Sequence, residues 1–366
     1  MKFTCERSIL LKEIAIANEI IASKNVISIL SNIFLEAKDG GLIIKATDMK
    51  VNFETKVPVD VIESGSVTVY GDKFYGILNS IPEGEIEFHQ KEGKISIKTL
   101  VKKAQFQLKS IASDKFPEFT VSAKAFFRMP IRDFKEMIKE TIFAISDDET
   151  RYFMNGVFFE KAENKFVMVA TDGRRLAYIG KSAAADTEDF TGVIIPPKIL
   201  SIVLKRAGEE GMAEISVTDK TIFIQFGSYK LSSVLIEGQF PNYRRVIPEN
   251  QVNHFSINRL EVLDALRRVS LLVEQKSHRV YLGISPGIAS IFCEENDIGN
   301  AREEIPCKYD GEEIAIALNY RYLEEPFKVM EQEEISIHFT EPNKTITIKP
   351  VPEKDFFHIV MPMQQD

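Results

Sequence analysis

Cysteine is scarce in this chain, and the way it is spaced excludes two architectures. The 366 residues hold three cysteines, Cys5, Cys293 and Cys307, an odd number with no C-x-x-C pair. Neither a disulfide framework nor a thiolate zinc site is expected, and each thiol reads as packing rather than as a nucleophile. Long apolar runs are also missing, since none approaches the roughly 20 residues that span a bilayer. Met1-Lys2-Phe3 enters structured sequence directly, without the leader of an exported protein. A cytoplasmic location with no membrane partner is therefore expected. Histidine is sparse too: His89, His254, His278, His338 and His358 are scattered and never fall at i, i+4. No Gly-rich phosphate loop, H-E-x-x-H or G-x-S-x-G motif occurs. No catalytic residue, metal ligand or cofactor is assigned, and the chain is expected not to be an enzyme. The best carboxylate cluster, Asp147-Asp148-Glu149, has the composition of a divalent-cation site, so a metal-dependent hydrolase built on it is one rival reading. Arg151 beside it favours a solvated loop.

What is present is ordinary in bulk: 44% hydrophobic and 27% charged residues, the balance of a globular protein. The length implies two or three domains rather than one core. A net charge of −8 argues, by itself, against a nucleic-acid partner. Binding depends on where the bases sit, however, and the sum does not decide the matter.

The stretch that organises the chain is Ala170–Gly180, ATDGRRLAYIG. An apolar run, Phe166–Ala170, leads in, Thr171-Asp172-Gly173 reads as a turn, and Leu176–Ile179 leads out as a second strand. Asp172 is suited to accept the N–H bonds of that turn. Another Thr-Asp pair, Thr47-Asp48, lies 124 residues earlier. The interval recurs. Phe3–Ala22 carries a helical stripe in Leu10, Ile14, Ala17 and Ile21, and Phe127–Ser146 repeats it with Ile131, Phe134, Ile138, Ile142 and Ile145. Phe255–Glu274 gives a weaker third copy through Leu260, Leu263 and Leu266. A second helix follows in each segment, with apolar faces at Phe74, Ile77, Leu78 and Ile81, at Ile199, Ile202 and Val203, and at Tyr320, Leu323, Phe327 and Met330. Hairpin turns precede KISIK, KTIFI and KTITI, and FPEF at 116–119 returns as FPNY at 240–243. The period is too long for a solenoid. It implies an α+β chain of three repeated domains, each with two helices on antiparallel sheet, spanning residues 1–124, 125–250 and 251–366. Ser122-Ala123-Lys124 and Pro248–Gln251 read as the linkers.

The bases cluster on the helices: Arg132, Lys135 and Lys139, then Lys198, Lys205 and Arg206, then Arg267 and Arg268, then Arg321 and Lys328. Two readings stand. Solvated helix faces explain each helix alone, with Glu324 and Glu325 pairing to Arg321 and Lys328. A common cationic surface, with acids held in loops such as Asp186–Asp189 and Glu331–Glu334, explains them together. Neither base-stacking aromatics nor a base-reading motif is evident, so any nucleic-acid contact is expected at phosphates, independent of sequence. The last apolar run, His358–Met363, reads as a tail tied down beside a pocket, its methionines suited to varied partners.

Four stretches, MKFTCER at 1–7, ATDGRRLA at 170–177, QFPNYRRV at 239–246 and VMPM at 360–363, together resemble the bacterial DNA polymerase III beta subunit, the DNA sliding clamp family. The resemblance covers the whole chain in family order. It implies three clamp-type domains, with two chains closing head to tail into a ring around double-stranded DNA. It also implies a tether for the replicative polymerase alpha subunit, the clamp loader and other proteins carrying clamp-binding peptides. The peptide pocket it implies comprises Met154, Thr171, Gly173, Arg174, Arg175, Leu176, Pro241, Arg245, Val246, Asn319, Tyr322, Val360, Met361, Pro362 and Met363, receiving glutamine and apolar anchors. DNA contacts fall at Lys24, Arg151, Tyr152 and Lys198. The dimer interface sets Phe106 and Leu108 against Leu271 and Leu272 of a second copy, with Lys73 facing Glu303 or Glu304. Departures from the common pattern are Arg174 in place of a frequent histidine, Met154 for leucine, Ser277 for an aromatic and Gln364 for arginine. A DNA-independent scaffold using the same pocket is the alternative.

Overall fold

The computed structural model describes residues 1–21, 28–101, 104–121, 127–184, 187 and 189–364. Lys24, the Ser122–Lys124 linker and residues 185, 186 and 188 of the acidic loop lie outside the described residues. The chain divides into two compact units, one of residues 1–134 with 198–235, the other of 135–197 with 236–366. Among the described residues the first unit is built on a 13-stranded sheet and the second on a 12-stranded one. Every strand pairing is antiparallel, and alternation drives it. Val51–Pro58, for example, turns Val51, Phe53, Thr55 and Val57 inward and its polar residues outward.

Among the described residues there are six α-helices, two per repeat: α1 (Arg7–Ile20), α2 (Gly71–Ser80), α3 (Ile131–Lys139), α4 (Pro197–Arg206), α5 (Arg259–Val269) and α6 (Tyr320–Val329). Most of the expected stripes are buried: Leu10, Ile14 and Ala17 on α1, Ile199, Ile202 and Val203 on α4, Leu323 and Phe327 on α6; on α5 Leu263 and Leu266 are buried, but Leu260, in the first turn, is 49% exposed. The helix starts differ from expectation in all three copies, and for one reason. A short strand precedes each helix: Lys2–Glu6, Phe127–Pro130 and Asn253–Asn258. Phe3 lies in the strand, opposite Phe88, with the two rings stacked at 4.8 Å. Four to six alternating residues read as the first turn of the helix that follows, and only the ladder partner separates the two. Side-chain caps then start the later helices. Asn258 accepts from the N–H groups of Leu260 and Glu261 on α5, and Asn319 from that of Arg321 on α6.

The two sheets run through repeat boundaries. Tyr229–Val234, from the middle repeat, pairs with Val51–Pro58 of the first. Phe356–Val360, from the third, pairs with Arg175–Ser182 of the middle one. The core of the first unit includes the fully buried Phe53, Phe74 and Phe88, and that of the second Phe159, Phe255, Phe327 and Phe339.

Candidate functional site

The turn at 171–175 is held by its own side chains. Thr171 Oγ1 accepts from Gly173 N at 3.0 Å, and Asp172 Oδ1 accepts from Arg174 N at 2.8 Å and Arg175 N at 3.1 Å. Gly173 has φ +87°, the left-handed region, and an added Cβ would lie 3.0 Å from Arg151 Nη1. Glycine is favoured there by conformation, and any side chain would also have to displace the end of Arg151. Arg151 Nη1 donates to the Asp172 carbonyl at 3.0 Å, which ties the turn to the 3₁₀ segment Glu149–Met154.

The two neighbouring arginines have opposite fates. Arg174 is exposed. Arg175 is half-buried, donates from Nε to Asp172 Oδ2 at 3.1 Å and from Nη2 to the Phe143 carbonyl at 2.7 Å, and pairs with Glu325. Its guanidinium lies 4.8 Å from the Tyr322 ring centre. Glu324 and Glu325 were expected to pair with Arg321 and Lys328. Glu324 does meet Lys328, at i, i+4 and 2.8 Å, whereas Glu325 pairs with Arg175.

The C-terminal tail continues the sheet. Arg175 pairs with Val360 and Leu176 with Ile359, after which Met361 N donates to the Arg174 carbonyl and Met363 N to the Ala317 carbonyl, at 2.9 and 2.8 Å. Ile359 of this strand joins a buried apolar cluster with Val167, Val169, Leu176, Ile194, Phe240 and Tyr243, the floor of the site. Phe158 stacks on Phe240 at 4.8 Å, and Tyr178 on Phe357 at 4.7 Å. Tyr243 reaches Glu160 through a 2.6 Å hydrogen bond, and burial together with that carboxylate pushes its phenol pKa up. The apolar side chains of Val246 and Met361 are 54% and 48% exposed and offer contact area on the segments that flank this cluster in sequence.

Thr171, Gly173, Arg174, Arg175, Leu176, Tyr322, Val360 and Met361 are thus linked by direct bonds or packing, while Met363 is tied to Ala317. Pro241, Arg245 and Val246 are exposed on the segment that Phe240 and Tyr243 anchor. Asn319 caps α6, and Met154 is buried, its carbonyl accepting from Ser146 N. Pro362 is half-buried next to Met361. Sequence reasoning did not find Phe143, Glu325, Phe240 or Tyr243 as parts of this site. It also missed the buried pair of His358 and Glu140, Nε2 to Oε2 at 3.2 Å, beneath the last strand. The repeated FPEF and FPNY motif was the available signal for Phe240 and Tyr243; no local pattern marks Phe143, Glu325, His358 or Glu140.

The basic residues are less free than their helical spacing suggested. Lys198 Nζ donates to Asp48 Oδ2 at 2.6 Å and to the Ile20 carbonyl at 2.7 Å. Burial works to raise the pKa of Asp48, but the bonds from Lys198, Val51 and Lys50 outweigh it and the net shift is downward. Lys139 pairs with Glu331, Lys205 with Glu19 and Arg268 with Glu303, at 2.8, 2.6 and 2.9 Å. Helix-borne cations with carboxylates opposite them form a weaker cationic face than the expected one. Tyr152 is exposed, while Arg151 is shared between Asp148 and the turn. The 147–149 cluster is a cap rather than a cage: Asp148 accepts from Thr150 and pairs with Arg151, bonds that hold its carboxyl at about 2.

At the expected interface Phe106 and Leu108 are half-buried on Gln105–Ile111, and Leu271 is 78% exposed beside a half-buried Leu272. Lys73 meets Asp72 at 3.7 Å, and Glu304 meets Arg302 at 3.4 Å. Among the described residues, Gln105–Lys109 is paired on one side only, with Lys94–Lys98. Ala301–Pro306 is likewise paired on one side, with Ile288–Cys293. These are two open strand edges.

Comparison with known proteins covers the chain end to end. Family models of the DNA polymerase III beta subunit match in three parts: the N-terminal domain over residues 1–120, the central domain over 128–242 and the C-terminal domain over 244–364. The beta sliding clamp of Treponema pallidum is 45% identical over 371 residues, covering all of both chains. That of Rickettsia bellii is 30% identical over 380 residues, again with full coverage. Among solved structures, a sliding clamp from Bartonella birtlesii bound to griselimycin superposes with a TM-score of 0.92 at 29% identity, covering all of both chains.

Proposed function

Because the chain belongs to the DNA polymerase III beta subunit family, whose members are DNA sliding clamps and not enzymes, we propose that the cleft of Leu176, Ile359 and the tail is where it captures partner peptides. The observation that carries this is the Met361-to-Arg174 backbone bond, which holds the exposed Met361 directly after the strand whose Ile359 joins Leu176 in the apolar cluster. Backbone-fixed edges and a few polar groups orient a peptide, and apolar anchors supply most of the affinity. The pocket set given above is the set proposed. Griselimycin in the Bartonella structure supports a ligand-accepting surface on this fold.

Two copies close head to tail through the open edges at 105–109 and 301–306, with Leu271 and Leu272 covering Phe106 and Leu108. A half-turn rotation makes that closure a ring of two. An edge strand left unpaired is a ready template for another chain, which supports this placement. DNA contacts at Lys24, Arg151, Tyr152 and Lys198 are to phosphates only, so the ring slides, and a polymerase tethered to it keeps a high effective concentration at the primer end. The three domains run over 1–124, 125–250 and 251–366, and the protein works in the cytoplasm. The scaffold reading without DNA is not favoured, because full-length likeness to sliding clamps leaves it no supporting observation.

The test is topological. The protein is loaded onto nicked circular DNA by its loader, washed in high salt, and the DNA is then cut. Retention on the circle with release on cutting is expected; loss from circle and line alike refutes encirclement. Removing Met361–Asp366 is expected to abolish peptide binding and leave the dimer intact, and unchanged affinity refutes the pocket.

A further inference from the structure

The first unit contains a second copy of the cleft's backbone. Met49 N donates to Thr47 Oγ1 at 2.9 Å, and Lys50 N and Val51 N donate to Asp48 Oδ1 at 2.9 and 2.7 Å, the same three N–H bonds as in the turn at 171–175, although the Thr47 hydroxyl donates to Asn52 Oδ1 where that of Thr171 donates to the Arg175 carbonyl. Met49 occupies the left-handed position of Gly173, with φ +73°. Val234 N donates to the Lys50 carbonyl at 2.9 Å, as Met361 N does to Arg174. Phe116 packs on Phe34 at 5.4 Å, as Phe240 packs on Phe158. The frame is the same. The side chains on it are not.

In the second unit, register aligns Thr171, Leu176 and Ile359 in one row across three strands, and Phe158, Val169, Tyr178 and Phe357 in the next. The corresponding rows of the first unit are Thr47, Asn52 and Ser232, then Phe34, Lys45, Glu54 and Lys230. Asn52 Nδ2 donates to Ser232 Oγ at 3.0 Å, and Ser232 Oγ donates to the Thr120 carbonyl at 2.7 Å. Glu54 is bracketed by Lys45 at 3.2 Å and Lys230 at 3.1 Å. An apolar anchor lowered onto these rows would strip water from a carboxylate and two ammonium groups and offer nothing in return.

We infer that residues 45–54 and 230–234 form a closed copy of the peptide cleft, and that the side chains at 45, 52, 54, 230 and 232, against those at 169, 176, 178, 357 and 359, decide which copy accepts a partner. The inference rests on the proposed pocket, and the experiment separates the two. Hydrogen exchange of the unmodified full-length protein is followed with and without a short synthetic peptide carrying one glutamine and two apolar anchors, with stoichiometry from calorimetry. Protection over 171–178 and 359–363 alone, at one peptide per chain, is expected. Equal protection over 47–54 and 230–234, at two peptides per chain, overturns the inference and leaves the pocket standing. Protection at neither segment overturns the pocket itself. A graft of Lys45→Val, Asn52→Leu, Glu54→Tyr, Lys230→Phe and Ser232→Ile is then expected to raise the stoichiometry of a folded protein to two. A folded graft that stays at one shows that these positions do not decide acceptance. The reverse single change, Leu176→Asn, is expected to lower peptide affinity at least tenfold, and unchanged affinity also refutes the assignment.

Discussion

Replacing Arg175 with methionine tests whether the turn is anchored by this guanidinium or merely decorated by it. The side chain is 10% exposed, so its charge is largely unscreened, and it satisfies Asp172, the Phe143 carbonyl and Glu325 at once. Methionine keeps most of the stem packing against Tyr322 and removes the donors. Asp172, only 14% exposed, then faces the cleft without its cation, and the Phe143 carbonyl loses its partner. Breaking a mostly buried pair costs about 3–5 kcal/mol, and the partly exposed Glu325 adds little, so about 3 kcal/mol is expected. For a folding unit of about 150–250 residues this corresponds to a drop of roughly 6–12 °C in melting temperature. The assay is urea unfolding read through exchange of the amides in Lys165–Thr171 and Arg175–Ser182, which isolates the second unit from the first. Lysine at the same position is expected to recover less than half, because one ammonium does not span the fork from Asp172 to Phe143. A loss below about 1 kcal/mol, or full rescue by lysine, refutes the argument.

Three further outcomes follow from local geometry. Gly173→Ala is expected to cost about 1–2 kcal/mol from the left-handed backbone alone, and displacement of Arg151 adds to it; a neutral change in thermal unfolding counts against the turn as described. His338 is held below its ordinary value of 6.5 by burial first and then by Lys349 and the stacked His254. The unfolded chain therefore binds the proton more tightly, so the contribution is complete above about pH 6.5 and is lost as pH falls through the lower folded value; His338→Gln is expected to flatten this acid limb of the urea midpoint, and an unchanged limb refutes the assignment. Asp48→Asn frees Lys198 from its carboxylate, so the log–log salt dependence of DNA binding is expected to steepen by about one phosphate contact, and an unchanged slope removes Lys198 from the DNA surface.

The sequence alone determined the threefold plan, because helix stripes, hairpin turns and the FP motif are local patterns, and their agreement at one spacing is visible without coordinates. It determined the turn at 171–175 as well, since Thr, Asp and Gly bond within five residues of each other. Tertiary structure decided what lies beyond that range. The strands before α1, α3 and α5 exist because a distant ladder partner captures residues that a helical pattern also fits. Arg174 and Arg175 look alike in the chain and differ in the fold, because Phe143 and Glu325 reach only the second of them. The helix-borne bases looked free, and carboxylates from elsewhere in the fold, such as Asp48 and Glu331, occupy several of them. Most of all, the two Thr-Asp turns are the same motif in sequence. One supports an apolar floor and the other an ionic row because cross-strand register, which the linear order does not display, sets Leu176 against Ile359 and Glu54 between two lysines.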